Sequence, residues 1–249
     1  MKIRLAAASV HFLGSAFIIS LFLSVVYFIW YPSPFDTMHS VFDAVKIVLV
    51  VDLLLGPFLT FVVFNVKKPR PELIRDLCIV FLMQVAAFIW GVHITYDMRP
   101  GFLVFQGDTF YSVISKDIDS GKLNENISLP AVWQQPKLVY IEPLKGGAGV
   151  KFMENFIENG GDGLFYDAEK YQPLGKEKNN AFLTEVISHK IDTKMLLRSA
   201  INKLAVEDFL QSHDGVVEDY LFFSVENGNE YVGIIIFYKS DFSVAGVFD

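Results

Sequence analysis

The sequence contains one cysteine in 249 residues, Cys78. A lone thiol excludes an intramolecular disulfide, so packing alone must hold the fold. Histidine is nearly as scarce. His11, His39, His93, His189 and His213 lack the paired spacing of a metal site and read as surface or helix-boundary residues. A phosphate-binding loop is missing as well. Gly146-Gly147-Ala148-Gly149-Val150-Lys151 is glycine-rich but lacks the G-x-x-x-x-G-K-[ST] spacing, which predicts a flexible loop ahead of a helix. Gly160-Gly161-Asp162-Gly163 has too few acids in step for a calcium loop and reads as a turn. Acids such as Glu154, Glu158, Asp162, Asp167 and Glu169 are plentiful, yet nothing selects two of them as an acid–base pair, and a solvated acidic face is expected. With no catalytic constellation, the chain is expected to be no enzyme and to use no cofactor, metal or small-molecule substrate.

Basic residues are in deficit, and unevenly so. Residues 1–94 carry seven Lys or Arg and five Asp or Glu, a net of +2. Residues 95–249 carry 14 and 23, a net of −9. A domain this acidic does not favour nucleic acid or an anionic lipid surface. The composition break near Tyr96 predicts two domains, residues 1–95 and 96–249.

Charge is nearly absent from three long apolar runs, about residues 5–30, 41–64 and 73–95. A helix rises about 1.5 Å per residue, so about 20 residues cross a bilayer. All three are long enough. The first follows Lys2 and Arg4 like a signal peptide, but it is too long, and Trp30-Tyr31-Pro32 is no small-residue cleavage site; an uncleaved anchor is expected. Trp30, Tyr31, Trp90 and Tyr96 stand where interfacial aromatics belong. Lys2 and Arg4 precede the first run, and Lys67, Lys68, Arg70 and Arg75 lie around the second connection, whereas Tyr31–Asp43 holds no Lys or Arg. The positive-inside rule then puts the N-terminus in the cytoplasm and residue 96 onward in the bacterial periplasm, across the inner membrane.

Within the second run stands one carboxylate, Asp52. It is costly there unless protonated, paired or turned toward protein. Gly56 and Thr60 follow at four-residue steps, and Pro57 predicts a kink one turn from the acid. Ala16, Ser20 and Ser24 repeat the small-residue stripe in the first run, as do Gln84, Ala87 and Gly91 in the third. Ser20, Asp52 and Gln84 fall at similar depth. They predict an internal bundle contact, and a sharper reading adds a partner's helix received along the same seam. One acid among three helices makes a poor ion pathway.

Beyond Arg99-Pro100, which ends the third helix, the pattern predicts strands at Phe102–Gln106, Thr109–Ile114 and Lys137–Ile141 and helices at Val150–Glu158 and Asp192–Gln211. Strands at Tyr220–Val225 and Tyr231–Tyr238 flank a turn around Asn227-Gly228, and Phe242–Phe248 can add a third. The expected fold class is α+β: three transmembrane helices, then a domain with an antiparallel sheet and helices on one face.

Several of these residues carry a family resemblance. Trp30-Tyr31-Pro32 with Pro34, then Val51-Asp52-Leu53-Leu54-Leu55-Gly56-Pro57-Phe58-Leu59-Thr60, Asp76-Leu77, Gln84, Gly91, Tyr96 and Arg99-Pro100, resemble the TfpX/TfpZ family of type IV pilin accessory proteins. Weaker agreement continues at Tyr171-Gln172-Pro173-Leu174, while the rest of the second domain diverges. The resemblance implies an inner-membrane, pilin-specific chaperone or assembly factor whose partners are the bilayer and the type IV major pilin, met at both its membrane helix and its periplasmic head. It marks Asp52, Gly56, Pro57, Thr60, Gln84, Gly91 and Arg99 as candidate partner-binding residues. The competing reading is a membrane-anchored periplasmic ligand sensor, which would need a partner to signal inward.

Overall fold

The computed structural model describes the chain apart from residues 33–34, 39–40, 145, 160–162, 175–179, 199, 214, 229 and 249, and apart from the side chains of 37–38, 41–44, 153, 155–157, 159, 180–182 and 200–202. Pro34, His39 and the turn expected at 160–162 therefore lie outside the described residues. The chain divides into two compact units: Met1–Pro32 with Ser40–Arg99, and Ser33–His39 with Pro100–Asp249.

The first unit is helical. Helix α1 (Lys2–Val25) continues into a π-helical turn (Val26–Trp30). The second span consists of α3 (Val41–Leu49), a π-helical segment (Val50–Leu55) and α4 (Gly56–Val63). The third is α5 (Arg70–Asp97), opened by Pro71 in its first turn and Glu72 against the positive end of its dipole. Three stretches, Lys2–Trp30, Val45–Val63 and Arg70–Asp97, are long and apolar enough to cross a membrane. Their outward side chains suit hydrocarbon: Phe17, Leu21, Phe28, Phe58, Leu82 and Ile89 are all exposed. Such an apolar surface is consistent with lipid contact. Inside, Phe22, Val26, Trp30, Tyr31 and Val45 form the core, with Phe88 and Tyr96 packed against it. Phe22 meets Trp30 and Phe88 edge-on at centroid distances of 6.2 and 5.5 Å.

The break expected at Pro57 takes the form of the π segment just before it. Proline has no N–H and its ring crowds the carbonyl four residues back. Widening the helix moves that carbonyl aside, and the Gly56 N–H bonds Val51 O instead, five residues back.

The second unit is built on one seven-stranded sheet. Its strands are β1 (Pro100–Gln106), β2 (Thr109–Ile114), β3 (Lys137–Ile141), β4 (Tyr171–Pro173), β5 (Tyr220–Asn227), β6 (Glu230–Tyr238) and β7 (Val244–Phe248), in the order β4-β3-β1-β2-β5-β6-β7. The expected antiparallel sheet needs correction, because the sheet is mixed. The hairpins β1–β2 and β5–β6, and the pairs β3–β4 and β6–β7, are antiparallel, but β1 runs parallel to β3 and β2 parallel to β5. A parallel neighbour needs a long crossover. The stretch from β4 to β5 supplies one, whereas between β1 and β3 the chain returns through β2 and residues 115–136.

That second stretch holds α7 (Asn180–Ser188), α8 (Thr193–Leu196) and α9 (Ala200–His213); α6 (Gly147–Asn159) lies between β3 and β4. The single helix expected over Asp192–Gln211 is two. Asp192 caps α8 by accepting from the Lys194 N–H, and α8 closes with Arg198 N–H on Met195 O, a tighter three-residue step that ends it.

Layering differs from expectation in a second way, since helices cover both faces. On one face Leu103, Phe105, Phe110, Leu221, Phe223, Ile235 and Phe237 pack with Val186 of α7. On the other, Phe102, Val104, Val113, Val139 and Ile141 meet Leu164, Phe165 and Phe152 of α6, while Phe222, Ile234 and Ile236 meet Leu196 and Val206. Strands covered twice lose the alternation of a half-exposed sheet and become continuous apolar runs. One more piece of this core comes from the connection between the first two spans. Phe35, in α2 (Phe35–Met38), is buried among Leu103, Phe105, Leu221 and Phe223.

Candidate functional site

The polar residues expected in the membrane helices converge in the first unit. Asp52 stands in the π segment and is 6% exposed; Gln84, on α5, is 8% exposed. The Gln84 Nε2 amide donates to Asp52 Oδ1 at 3.5 Å, the long limit of a hydrogen bond. One turn along, Gly56 leaves room for that amide. A Cβ there would overlap the Gln84 carboxamide, with Cδ 2.6 Å away. Thr60 is buried a turn farther on, and its Oγ1 shares a 2.6 Å hydrogen bond with His11 Nδ1 of α1. The stripe of Asp52, Gly56 and Thr60 is thus the inner face of the second span, and Pro57 is half-buried beside it.

Gly91 serves a different contact. Its missing side chain admits Val48, whose Cγ2 a Cβ would overlap. One turn on, Thr95 Oγ1 donates to Gly91 O at 2.8 Å, and Tyr31 Oη donates to Thr95 O at 2.9 Å. Arg99 turns inward at 4% exposure, its guanidinium 4.0 Å from the centroid of Tyr96, whose ring meets Trp30 edge-on at 5.3 Å. Burial lowers the Arg99 pKa from its ordinary value, while Tyr96 and Tyr31 act to raise it. Burial likewise pushes the Tyr31 phenol well above its ordinary range. The Trp-Tyr-Pro and Arg-Pro motifs therefore meet at one end of the bundle, and Arg99 fastens α5 there.

Two details differ from the sequence reading. Ser20 does not join Asp52 and Gln84. It is exposed, and its hydroxyl donates to Ala16 O of its own helix at 2.7 Å. Small residues can face lipid as well as protein, so the stripe of Ala16, Ser20 and Ser24 marked the wrong side of α1. The first span instead contributes His11, which the sequence reading takes as a surface or helix-boundary residue. A polar ring inside an apolar helix, three residues from Gly14, is the signal that would have found it.

These residues enclose a cavity of about 390 Å³ lined by His11, Gly14, Asp52, Thr60, Phe81 and Gln84 among others. It offers shape and a few polar groups on an apolar wall. Among the described residues no cluster of three His, Cys, Asp or Glu could hold a metal ion. The arrangement suits a buried, hydrogen-bonding contact between helices.

The first 39 residues match the family model described as fimbrial assembly protein FimB. Three curated relatives, all from Dichelobacter nodosus, are similar over about half of the chain. The fimbrial assembly protein of serogroup I is 31% identical over 129 residues, 52% of this chain and 49% of the relative. That of serogroup E1 is 32% identical over 130 residues, again 52% and 49%. The chain thus spans about half the length of these two relatives. The protein of serogroups C1 and C2 is 32% identical over 111 residues, 45% of this chain and 85% of the relative. No solved structure matches. Since a relative sharing 32% of its residues is covered over 85% of its length, the chain belongs to the family of fimbrial assembly proteins.

Proposed function

We propose that this protein is an inner-membrane accessory factor of type IV pilus assembly, akin to the TfpX/TfpZ group, that binds pilin and chaperones it toward the fibre. The observation that carries this reading is the polar seam of Asp52, Thr60 and Gln84, which lines a cavity within an otherwise apolar bundle. Buried polar groups in a membrane are costly, and they are retained where they bind something or hold helices together. The names of the relatives supply the process, fimbrial assembly. The resemblance supplies the partner, a pilin with one apolar helix in the membrane and a head outside it. Two weak contacts, seam to helix and sheet domain to head, then act together through avidity.

Orientation belongs to the same proposal: N-terminus in the cytoplasm, second unit in the periplasm. The Lys and Arg at the N-terminus and around the second connection support it, as does their absence from Tyr31–Asp43. Phe35 adds support of another kind. A residue between spans one and two shares a core with residues after span three, which supports a topology of three crossings with both on one side of the bilayer.

Deleting the gene in a piliated host tests the function. Pilin abundance and surface pili are measured separately. Loss of surface pili with a several-fold fall in pilin is expected for a chaperone, and complementation restores both. If neither quantity changes, the proposal fails.

A further inference from the structure

The cavity in the helical unit is mostly apolar, and Asp52 is the one carboxylate on its wall among the described residues. Asp52 and Gln84, both more than nine-tenths buried, line it. The Gln84 amide nitrogen turns to Asp52, which leaves its Oε1 buried and without a hydrogen bond. Such an atom carries an uncompensated desolvation cost. The Nδ1 of His11, on the same wall, is engaged with Thr60. Among the described residues, no lysine or arginine lines the space. A carboxylate and a buried carbonyl oxygen therefore stand at the cavity wall, with His11 as the basic side chain beside them among the described residues. The void also has room: a Cβ built on Gly14 meets nothing within 4 Å. The acid sits on a π segment, a helix irregularity that recurs at functional sites.

We propose that the cavity seats a partner's transmembrane helix that bears a nitrogen donor, an ammonium at a chain end or on a lysine, and that this group pairs with Asp52 and with Gln84 Oε1. Charge complementarity selects the donor. An anionic or purely apolar helix would leave Asp52 unpaired in hydrocarbon, while an ammonium satisfies both oxygens at once. The proposal rests on the reading of this protein as a pilin-binding factor and adds the chemistry of the contact.

The test uses the full chain in membranes of a piliated host, with a photo-crosslinking residue replacing Phe81, which lines the cavity and is exposed, and with Ile18 as a second position. The adduct is expected on the pilin helix, within one turn of an amine. Asp52→Asn, which removes the charge and keeps the shape, is expected to lower its yield about tenfold or more. Asp52→Glu retains it. Gly14→Leu plugs the space and abolishes the adduct while the chain stays at normal abundance. Pilin adducts unaffected by Asp52→Asn and Gly14→Leu, or mapped far from any amine, overturn the donor site and leave pilin binding standing. Adducts to lipid or to a second copy alone overturn both.

Discussion

Phe223→Ala is expected to destabilise the sheet-containing unit by about 3–5 kcal/mol. Phe223 is fully buried, with Phe105, Phe110, Phe237 and Phe242 around it at centroid distances of 6.0, 5.3, 5.7 and 6.2 Å. Four rigid rings cannot collapse into the space that its removal leaves, so the cavity cost adds to the lost burial. A domain has about 5–15 kcal/mol in total, and this one has no disulfide to fall back on. Denaturant unfolding of the full chain in detergent, followed by near-ultraviolet circular dichroism, measures the loss. Trp133→Ala is the control. That ring is 71% exposed, and the change is expected to stay within about 0.5 kcal/mol. A cost below about 1 kcal/mol for Phe223→Ala would contradict the core described here.

Gly91→Leu is expected to part the second and third spans. Its first carbon would overlap Val48 Cγ2, and a β-branched side chain in a helix has one favoured rotamer and nowhere to turn. Overpacking of this kind costs about 1–3 kcal/mol. Parting the spans also draws Gln84 from Asp52, so partner binding falls with stability. Gly14→Leu provides the contrast. It meets no atom, and leucine exceeds glycine in helix propensity by up to about 1 kcal/mol, so the bundle is expected to melt no lower. Thermal loss of helical signal in detergent separates the two. Equal melting of both variants would mean that Gly91 is no packing contact.

How much of this was legible in the sequence follows from how local each signal is. The spans were, because twenty apolar residues need no partner to be recognised. The strand pairs beside Gly107 and Gly228 were too, since both glycines adopt positive φ in tight turns. The parallel pairings were not. They depend on where residues 115–136 and α7–α9 carry the chain, which no local pattern encodes. The second covered face did leave a trace. Phe102-Leu103-Val104-Phe105 and Ile234-Ile235-Ile236-Phe237 are unbroken apolar runs, the mark of a strand buried on both sides. Strand β4 is too short to show a period. In the membrane unit, Asp52 and Gln84 were found by depth, because polar groups in hydrocarbon seek one another. Ser20 was misplaced and His11 overlooked for a single reason: a helix in lipid can turn small or polar residues either way, so spacing alone does not name its inner face.

The proposed topology has three crossings, with the sheet-containing unit on the opposite side of the bilayer from the N-terminus, and both proposed contacts with pilin require it there. A reporter pair that distinguishes cytoplasm from periplasm, fused after Asp249 and separately after Val66, reads this directly. Periplasmic signal from the first fusion and cytoplasmic signal from the second are the expected results. A fusion after Asp249 that works only in the cytoplasm would contradict the arrangement and remove the basis for the meeting with pilin.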